Sequence, residues 1–168
     1  MTARSKTLDY DVARKVVALK AEQYVAPRIY AAVSFDAAVL LCTHHSRISF
    51  PGLRRMSPRV ATALAKANGI LALNGVRTLP KSVARALATH EGKLILRRLV
   101  GLDTETLETL AGHAGPVLMP AFRPSPDDDL RQRQILARHG NLCYDAEKVD
   151  VFEGIDFTRY RWNRDPSQ

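Results

Sequence analysis

The sequence predicts an α/β fold, a curved right-handed solenoid of about six strand–helix units. Two observations support this prediction. The first is a period of 23 residues that repeats without a gap, most clearly over residues 48–70, 71–93 and 94–116. The second is the order of patterns in each copy. Apolar residues first alternate as in a strand, a turn follows, and apolar residues then recur at helical spacing. One such unit cannot bury its own apolar face, so successive units are expected to stack.

Residues 71–92 show the unit most plainly. Leu71 and Leu73 recur with the period of a strand that has one buried face. Gly75 permits a sharp turn, Pro80 suits the first turn of a helix, and Gly92 ends that helix. Apolar positions coincide between units: the first strand column is Ile48, Leu71, Leu94 and Val117, and the second is Phe50, Leu73, Leu96 and Met119.

The spacing of strands and helices predicts the shape of the stack. Neighbouring strands lie ~4.8 Å apart, whereas helix axes need ~8–10 Å. This mismatch predicts curvature, with a parallel sheet on the concave face and helices on the convex face. Short strand–helix–strand crossovers predict a right-handed path.

The ends of the chain depart from the repeat. We expect one domain, in which residues 1–24 form a helical N-terminal cap, residues 25–145 form the repeats and residues 146–168 form a C-terminal cap. The helix of the N-terminal cap is expected over about residues 9–22, and the first and last strands over residues 25–30 and 142–144.

Aromatic residues are concentrated in the C-terminal tail. Phe152, Phe157, Tyr160 and Trp162 favour a cap that covers the last strand. Residues 159–164 interleave arginine with aromatic side chains, so the alternative is a docking peptide of the kind that binds single-stranded nucleic acid.

The repeated motif L-x-L-x-G-[LV]-x-x-[LM], followed by A-L-A-x-x-x-G, resembles the leucine-rich-repeat-like units of many environmental bacterial proteins. The resemblance covers residues 48–122 well and the flanks loosely. It implies a horseshoe or arc that serves as an interaction surface. The chain departs from the pattern at Arg98 and Ala121, which stand where the earlier units carry Gly52 and Gly75.

Charge is distributed unevenly along the chain. The net charge is +8, and residues 47–100 hold eleven Lys or Arg residues against one acid. No run of ~18 apolar residues occurs, so no transmembrane helix is expected. The first residues lack the apolar segment of a secretory signal, and Cys42 and Cys143 fall in different layers. We therefore expect free thiols and a cytoplasmic location.

The concave sheet face is the first candidate binding surface. Ile95 and Leu118 are apolar at strand positions where solvent is expected, which indicates a contact patch for a protein partner. The alternative is that the C-terminal tail partly covers them. The predicted partner-binding residues are Ser49, Asn74, Ile95, Arg97 and Leu118.

The second candidate surface is a ladder of arginines after the strands. Arg54, Arg77 and Arg123 occupy equivalent places in their units, and Val100 interrupts the series. Stacked guanidinium groups attract anions such as phosphate or acidic protein, although a solvated basic edge is the alternative. The predicted anion-binding residues are Arg54, Arg55, Arg77, Arg98 and Arg123.

Four histidines recur near the ends of the predicted helices, namely His44, His90, His113 and His139. Helix axes ~8–10 Å apart do not suit metal–nitrogen bonds of ~2 Å, so we expect them to cap helix carbonyls rather than bind a metal. The chain lacks the sequence motifs of serine hydrolases, zinc proteases and phosphate loops. No cofactor is expected, and an enzyme is the least favoured function.

The sequence therefore predicts a non-catalytic repeat module that binds another protein through its concave face and arginine edge. Binding of nucleic acid or another polyanion by residues 47–100 is the alternative. The terminal strands are also candidates for pairing with a second copy of the chain.

Overall fold

The computed structural model describes residues 6–144, which form six helices and two parallel sheets. The helices are α1 (Tyr10–Val17), α2 (Phe35–His44), α3 (Pro58–Leu64), α4 (Lys81–Leu87), α5 (Thr104–Ala111) and α6 (Asp129–Arg138). The strands are β1 (Lys6–Leu8), β2 (Gln23–Val25), β3 (Tyr30–Val33), β4 (Arg47–Ser49), β5 (Ile70–Ala72), β6 (Lys93–Ile95), β7 (Val117–Leu118) and β8 (Leu142–Cys143).

The larger sheet has six parallel strands in the order β2-β4-β5-β6-β7-β8. Its central register advances by one repeat per strand, so that Ile48, Leu71, Leu94 and Val117 are successive partners. The predicted α/β class and parallel sheet are confirmed. Strands β1 and β3 form the smaller sheet, in which Leu8 lies beside Val33.

The main core lies between the larger sheet and the helices. Buried residues from every helix meet the inward strand positions in one apolar cluster. Each helix packs against the next helix along the chain. Alanine is common on the buried helix faces, as at Ala37, Ala61 and Ala84, and its small side chain allows the helices to approach the sheet closely.

Four helices begin at a capping side chain, namely Asp9 at α1, Ser34 at α2, Ser57 at α3 and Asp103 at α5. Ser34, Ser57 and Asp103 accept hydrogen bonds from the backbone N–H groups three residues later, at 3.2, 3.3 and 2.9 Å respectively. These bonds satisfy donors that the first helical turn cannot pair internally. These helices therefore begin directly after a side chain that can cap them, whereas α6 begins at Asp129 without a side-chain cap bond.

The N-terminal part differs from the prediction in two ways. The expected strand over residues 25–30 is wrong, because β2 ends at Val25 and β3 begins at Tyr30. Pro27 lies between them and has no N–H to donate to a strand ladder. Helix α1 ends at Val17 rather than at residue 22, and Lys20 adopts a left-handed backbone angle (φ 51°) after it. The predicted C-terminal cap lies outside the described residues.

Candidate functional site

The outward strand positions form a column on the sheet face that lies away from the helices. Pairing places Ser49 beside Ala72, Ala72 beside Ile95, Ile95 beside Leu118, and Leu118 beside Cys143. Four of these residues form a second apolar cluster, separate from the main core and containing no helix residue: Ala72, Ile95, Leu118 and Cys143.

Ile95 and Leu118 are 1% and 0% exposed, so the expectation that solvent reaches them is wrong. Neighbouring strands bring the side chains of the column into contact with one another, and parallel sheets commonly have both faces covered. The sequence shows that these positions point away from the helices, but it cannot show what packs on that face.

The polar residues predicted on this face lie in the same region. Ser49 is buried, whereas Asn74 and Arg97 are half-buried. Within residues 6–144, Ser49 Oγ and Asn74 Oδ1 are buried without a hydrogen-bond partner. Buried polar atoms are usually paired, so this face retains unused hydrogen-bonding capacity.

The arginine ladder, which we call the arginine rim, consists of Arg54, Arg55, Arg77, Arg98 and Arg123. All five residues are exposed. Backbone hydrogen bonds between neighbouring units continue beyond the ends of the strands. Val100 N–H donates to the Arg77 carbonyl at 3.3 Å, and Arg123 N–H donates to the Val100 carbonyl at 3.1 Å. The fold therefore brings Arg77 and Arg123 to the same end of the sheet with Val100 between them, as predicted from the repeat.

Acidic side chains of the described residues do not neutralise most of this rim. Within residues 6–144, no acidic side chain forms an ion pair with Arg54, Arg55, Arg77 or Arg98. Arg123 Nη1 donates to the carbonyls of its own turn, at 3.1 Å to Pro120 and at 2.7 Å to Phe122. A guanidinium has five N–H donors, so this contact orients Arg123 and leaves donors for an anion.

Three acids in the second half of the described residues pair away from the rim. Glu105 pairs with Lys81, Glu108 lies 3.4 Å from Arg131, and Asp129 lies 2.7 Å from Arg133, all on helices α4, α5 and α6. Helices α3 and α4, which follow the rim turns of Arg54 and Arg77, have no acid in their first turn. Positive charge therefore concentrates at the carboxyl ends of the central strands.

An open depression of about 350 Å³ lies beside the rim, between the turns that precede α4 and α5. Asp103 contributes a carboxylate to its lining. That carboxylate accepts hydrogen bonds from Thr106 N–H at 2.9 Å and Thr106 Oγ1 at 2.6 Å. These bonds, with a smaller effect from Lys81, lower the pKa of Asp103. The group is therefore held as an ionised helix cap, which is unsuited to proton transfer near neutral pH.

Buried histidines lie near the amino ends of the strands, opposite the arginine rim. His90 contacts the carbonyls of Ala65 and Gly69 through its two ring nitrogens, both at 3.1 Å. The expectation that histidines cap helix carbonyls is therefore confirmed for His90, whose partners belong to the preceding unit. His113 is also buried, and its Nδ1 lies 2.7 Å from the Gly115 carbonyl oxygen.

The outer two histidines of the series lie at the ends of α2 and α6 as predicted, but neither side chain bonds a carbonyl within residues 6–144. His44 and His139 are exposed, whereas His45 is buried and its Nδ1 lies 2.7 Å from the Ala21 carbonyl. The first unit pairs with the second at a spacing of 24 residues rather than 23, as Tyr24 and Ile48 show. That extra residue falls before the Ser34 cap, so it does not move His44 relative to its helix. Helix α2 instead runs on to His44, whereas α4 ends three residues before His90.

The described residues do not assemble a metal centre or a reactive thiol. Among residues 6–144, no group of three or more His, Cys, Asp or Glu side chains is arranged to hold a metal ion. Cys42 and Cys143 are both buried. Burial raises the pKa of the Cys42 thiol to about 12, which keeps it protonated near neutral pH.

Comparison with protein-family models, with curated proteins and with solved structures finds no match to this chain. Within residues 6–144, no helix is long and apolar enough to cross a membrane. The structure thus defines an α/β protein with a six-stranded parallel sheet.

Proposed function

We propose that this chain is a non-catalytic repeat module, a curved right-handed solenoid that binds another protein through its arginine rim and the adjoining sheet face. The observation that carries the proposal is the row of exposed arginines at equivalent places in successive units. Within residues 6–144, Glu105, Glu108 and Asp129 pair with cations outside the rim, and no acid pairs with Arg54, Arg55, Arg77 or Arg98. The charge of these four arginines is therefore available to an acidic partner.

The two surfaces contribute unequally to the proposed binding. The apolar column is buried, so Ile95 and Leu118 are not accessible to a partner. Asn74 and Arg97 are half-buried at the side of that column, where a partner seated on the rim would meet them.

The absence of catalysis is part of the proposal, and the distribution of perturbed groups supports it. Active sites gather several groups with shifted pKa values in one cleft. Here Tyr24 and Cys42 lie in the first unit, Asp103 and His113 lie at opposite ends of α5, and Arg133 lies on α6. Each shift is explained mainly by burial or by a local hydrogen bond.

A capture experiment with the full chain tests the protein-binding proposal. Wild type, Arg54→Glu/Arg77→Glu and the control Arg85→Glu are used as bait in host lysate treated with nuclease. Arg85 is an exposed arginine on helix α4, away from the rim. We expect a discrete protein to be retained by wild type and the control and lost from the rim variant. Equal retention by all three baits would contradict binding at the rim.

Binding of nucleic acid is the second candidate function, because residues 47–100 carry eleven basic residues against one acid. It predicts that binding of an oligonucleotide weakens steeply as salt increases, since each neutralised phosphate releases counterions. Fluorescence anisotropy across a salt series tests this. Binding that is absent at low salt would eliminate this candidate.

Self-association is a further candidate property. Strands β2 and β8 are the edges of the larger sheet among the described residues, and an uncovered edge can pair with another chain. Sedimentation analysis over a concentration series shows whether the full chain is a monomer or a dimer.

A further inference from the structure

The arginine rim contains an exposed apolar residue, Val100, which is 53% exposed. It occupies the place that Arg54, Arg77 and Arg123 hold in their units. Its N–H and carbonyl are bonded to the Arg77 and Arg123 segments on either side, so the three side chains lie on consecutive rungs, ~4.8 Å apart. Along the rim, a basic side chain is therefore followed by an apolar one and then by another basic one.

The turn that carries Val100 is fixed by its neighbour. Leu99 is 0% exposed in the main core, and its N–H donates to the Leu96 carbonyl at 3.2 Å. The residues on both sides of Leu99 are exposed, namely Arg98 and Val100. Core packing thus anchors this rung and presents a guanidinium and an isopropyl group to solvent at the same turn.

A ligand complementary to this pattern needs negative charge on both sides of an apolar group. Carboxylates match guanidinium groups with paired hydrogen bonds, and an aliphatic side chain on Val100 would remove apolar surface from water. A phosphate backbone carries charge at regular intervals and offers no aliphatic group at that position. The exposed valine therefore favours an acidic protein segment over nucleic acid.

We propose that the partner of the arginine rim is an acidic peptide segment in which one aliphatic side chain, seated on Val100, is flanked by carboxylates that pair with Arg77, Arg98 and Arg123. This inference rests on the proposed function and names the chemistry of the partner. Val100 then determines specificity, whereas the arginines provide most of the affinity.

The test uses the full chain and two labelled peptides, one with a single leucine between runs of glutamate and one with serine in place of leucine. An oligodeoxythymidylate of similar charge is the third probe. Val100→Ser is compared with Val39→Ser, which changes another exposed valine on helix α2. Arg77→Ala is compared with Arg85→Ala. Circular dichroism checks that every variant is folded.

We expect the leucine peptide to bind wild type about threefold tighter than the serine peptide. Val100→Ser should remove that difference, and Val39→Ser should keep it. Arg77→Ala should weaken both peptides about tenfold, while Arg85→Ala should leave both unchanged.

Several outcomes would overturn the inference. Equal binding of the two peptides, or a preference that survives Val100→Ser, would show that Val100 does not select the partner. Tighter binding of the oligonucleotide than of the leucine peptide would assign the rim to phosphate. In either case, loss of the captured protein in Arg54→Glu/Arg77→Glu would still support the proposed function, so the two failures are distinguishable.

Discussion

At the scale of single residues, glycines allow the backbones of neighbouring units to touch. A Cβ atom added to Gly92 would lie 1.8 Å from the Gly69 carbonyl oxygen, and one added to Gly115 would lie 2.2 Å from that of Gly92. Both contacts are with backbone, which a side-chain rotation cannot relieve. The glycine that ends each central unit is therefore required for close stacking.

Substitution of Gly92 by alanine should destabilise the protein by about 2 kcal/mol or more, because the units must move apart. Gly101→Ala is the matched control, since a Cβ there meets nothing within 4 Å. It should be neutral or stabilise by up to about 1 kcal/mol through the unfolded chain. Urea unfolding of both variants measures the difference, and equal stabilities would contradict the close contact.

His113 makes stability depend on pH. Burial lowers its pKa below the ordinary value of 6.5, and the nearby His90 lowers it further, against a raising effect of the Gly115 hydrogen bond. The unfolded chain then binds a proton at a pH where the folded chain does not. This contribution to stability is complete above about pH 6.5 and is lost as the pH falls below it.

Unfolding free energies between about pH 5 and pH 7.5 test this, because Asp103 stays ionised throughout that window. Wild type should lose stability towards the acid end, and His113→Asn should have a flatter profile. An unchanged slope in the variant would show that another group titrates.

At the scale of elements, helix α6 is fixed by Gln132, which is fully buried. Its Nε2 donates to the Leu102 carbonyl at 2.9 Å and contacts Thr104 Oγ1 at 3.3 Å. Its Oε1 accepts from Ser125 N–H at 2.8 Å. One side chain thus connects α6 to the turn before α5 and to the turn before α6 itself.

Gln132→Met keeps the volume of the side chain but leaves the Ser125 N–H and the Leu102 carbonyl unpaired, so it should cost about 2–4 kcal/mol. Gln134→Met changes an exposed glutamine of the same helix and should stay within about 0.5 kcal/mol. Urea denaturation compares the two variants. A small effect at residue 132 would mean that water replaces the lost bonds.

At the scale of the whole molecule, the larger sheet has buried apolar side chains on both faces. One set belongs to the main core with the helices, and the other is the separate cluster of Ala72, Ile95, Leu118 and Cys143. The burial of the second cluster determines whether this sheet face is part of the interior or a binding surface.

Ile95→Ser should lower stability by about 2–4 kcal/mol, since it removes buried apolar atoms and adds a hydroxyl to a packed cluster. Val100→Ser, at an exposed position, should change stability by less than about 0.5 kcal/mol. Thermal and urea unfolding give both values. An Ile95 variant as stable as wild type would mean that this face is a free surface, as the sequence predicted.

The sequence by itself determined the features that depend on local period. The repeat gives the strand register through Leu71 and Leu94, the helix starts at Ser57 and Asp103, and the rim positions of the arginines. These features follow from alternation, capping and equivalence between units, all of which act over short stretches of chain.

The tertiary structure decided what depends on contacts between distant segments. Ile95 has the same alternation whether its sheet face is covered or open, so only packing revealed its burial. His45 is buried in place of His44, at the end of a helix α2 that is 10 residues long, against 7 for α4. Where the 23-residue period breaks, the burial of side chains and the strand register follow the arrangement that pairs the most backbone groups and excludes the most water. The sequence of a single unit shows neither the number of paired backbone groups nor the amount of excluded water.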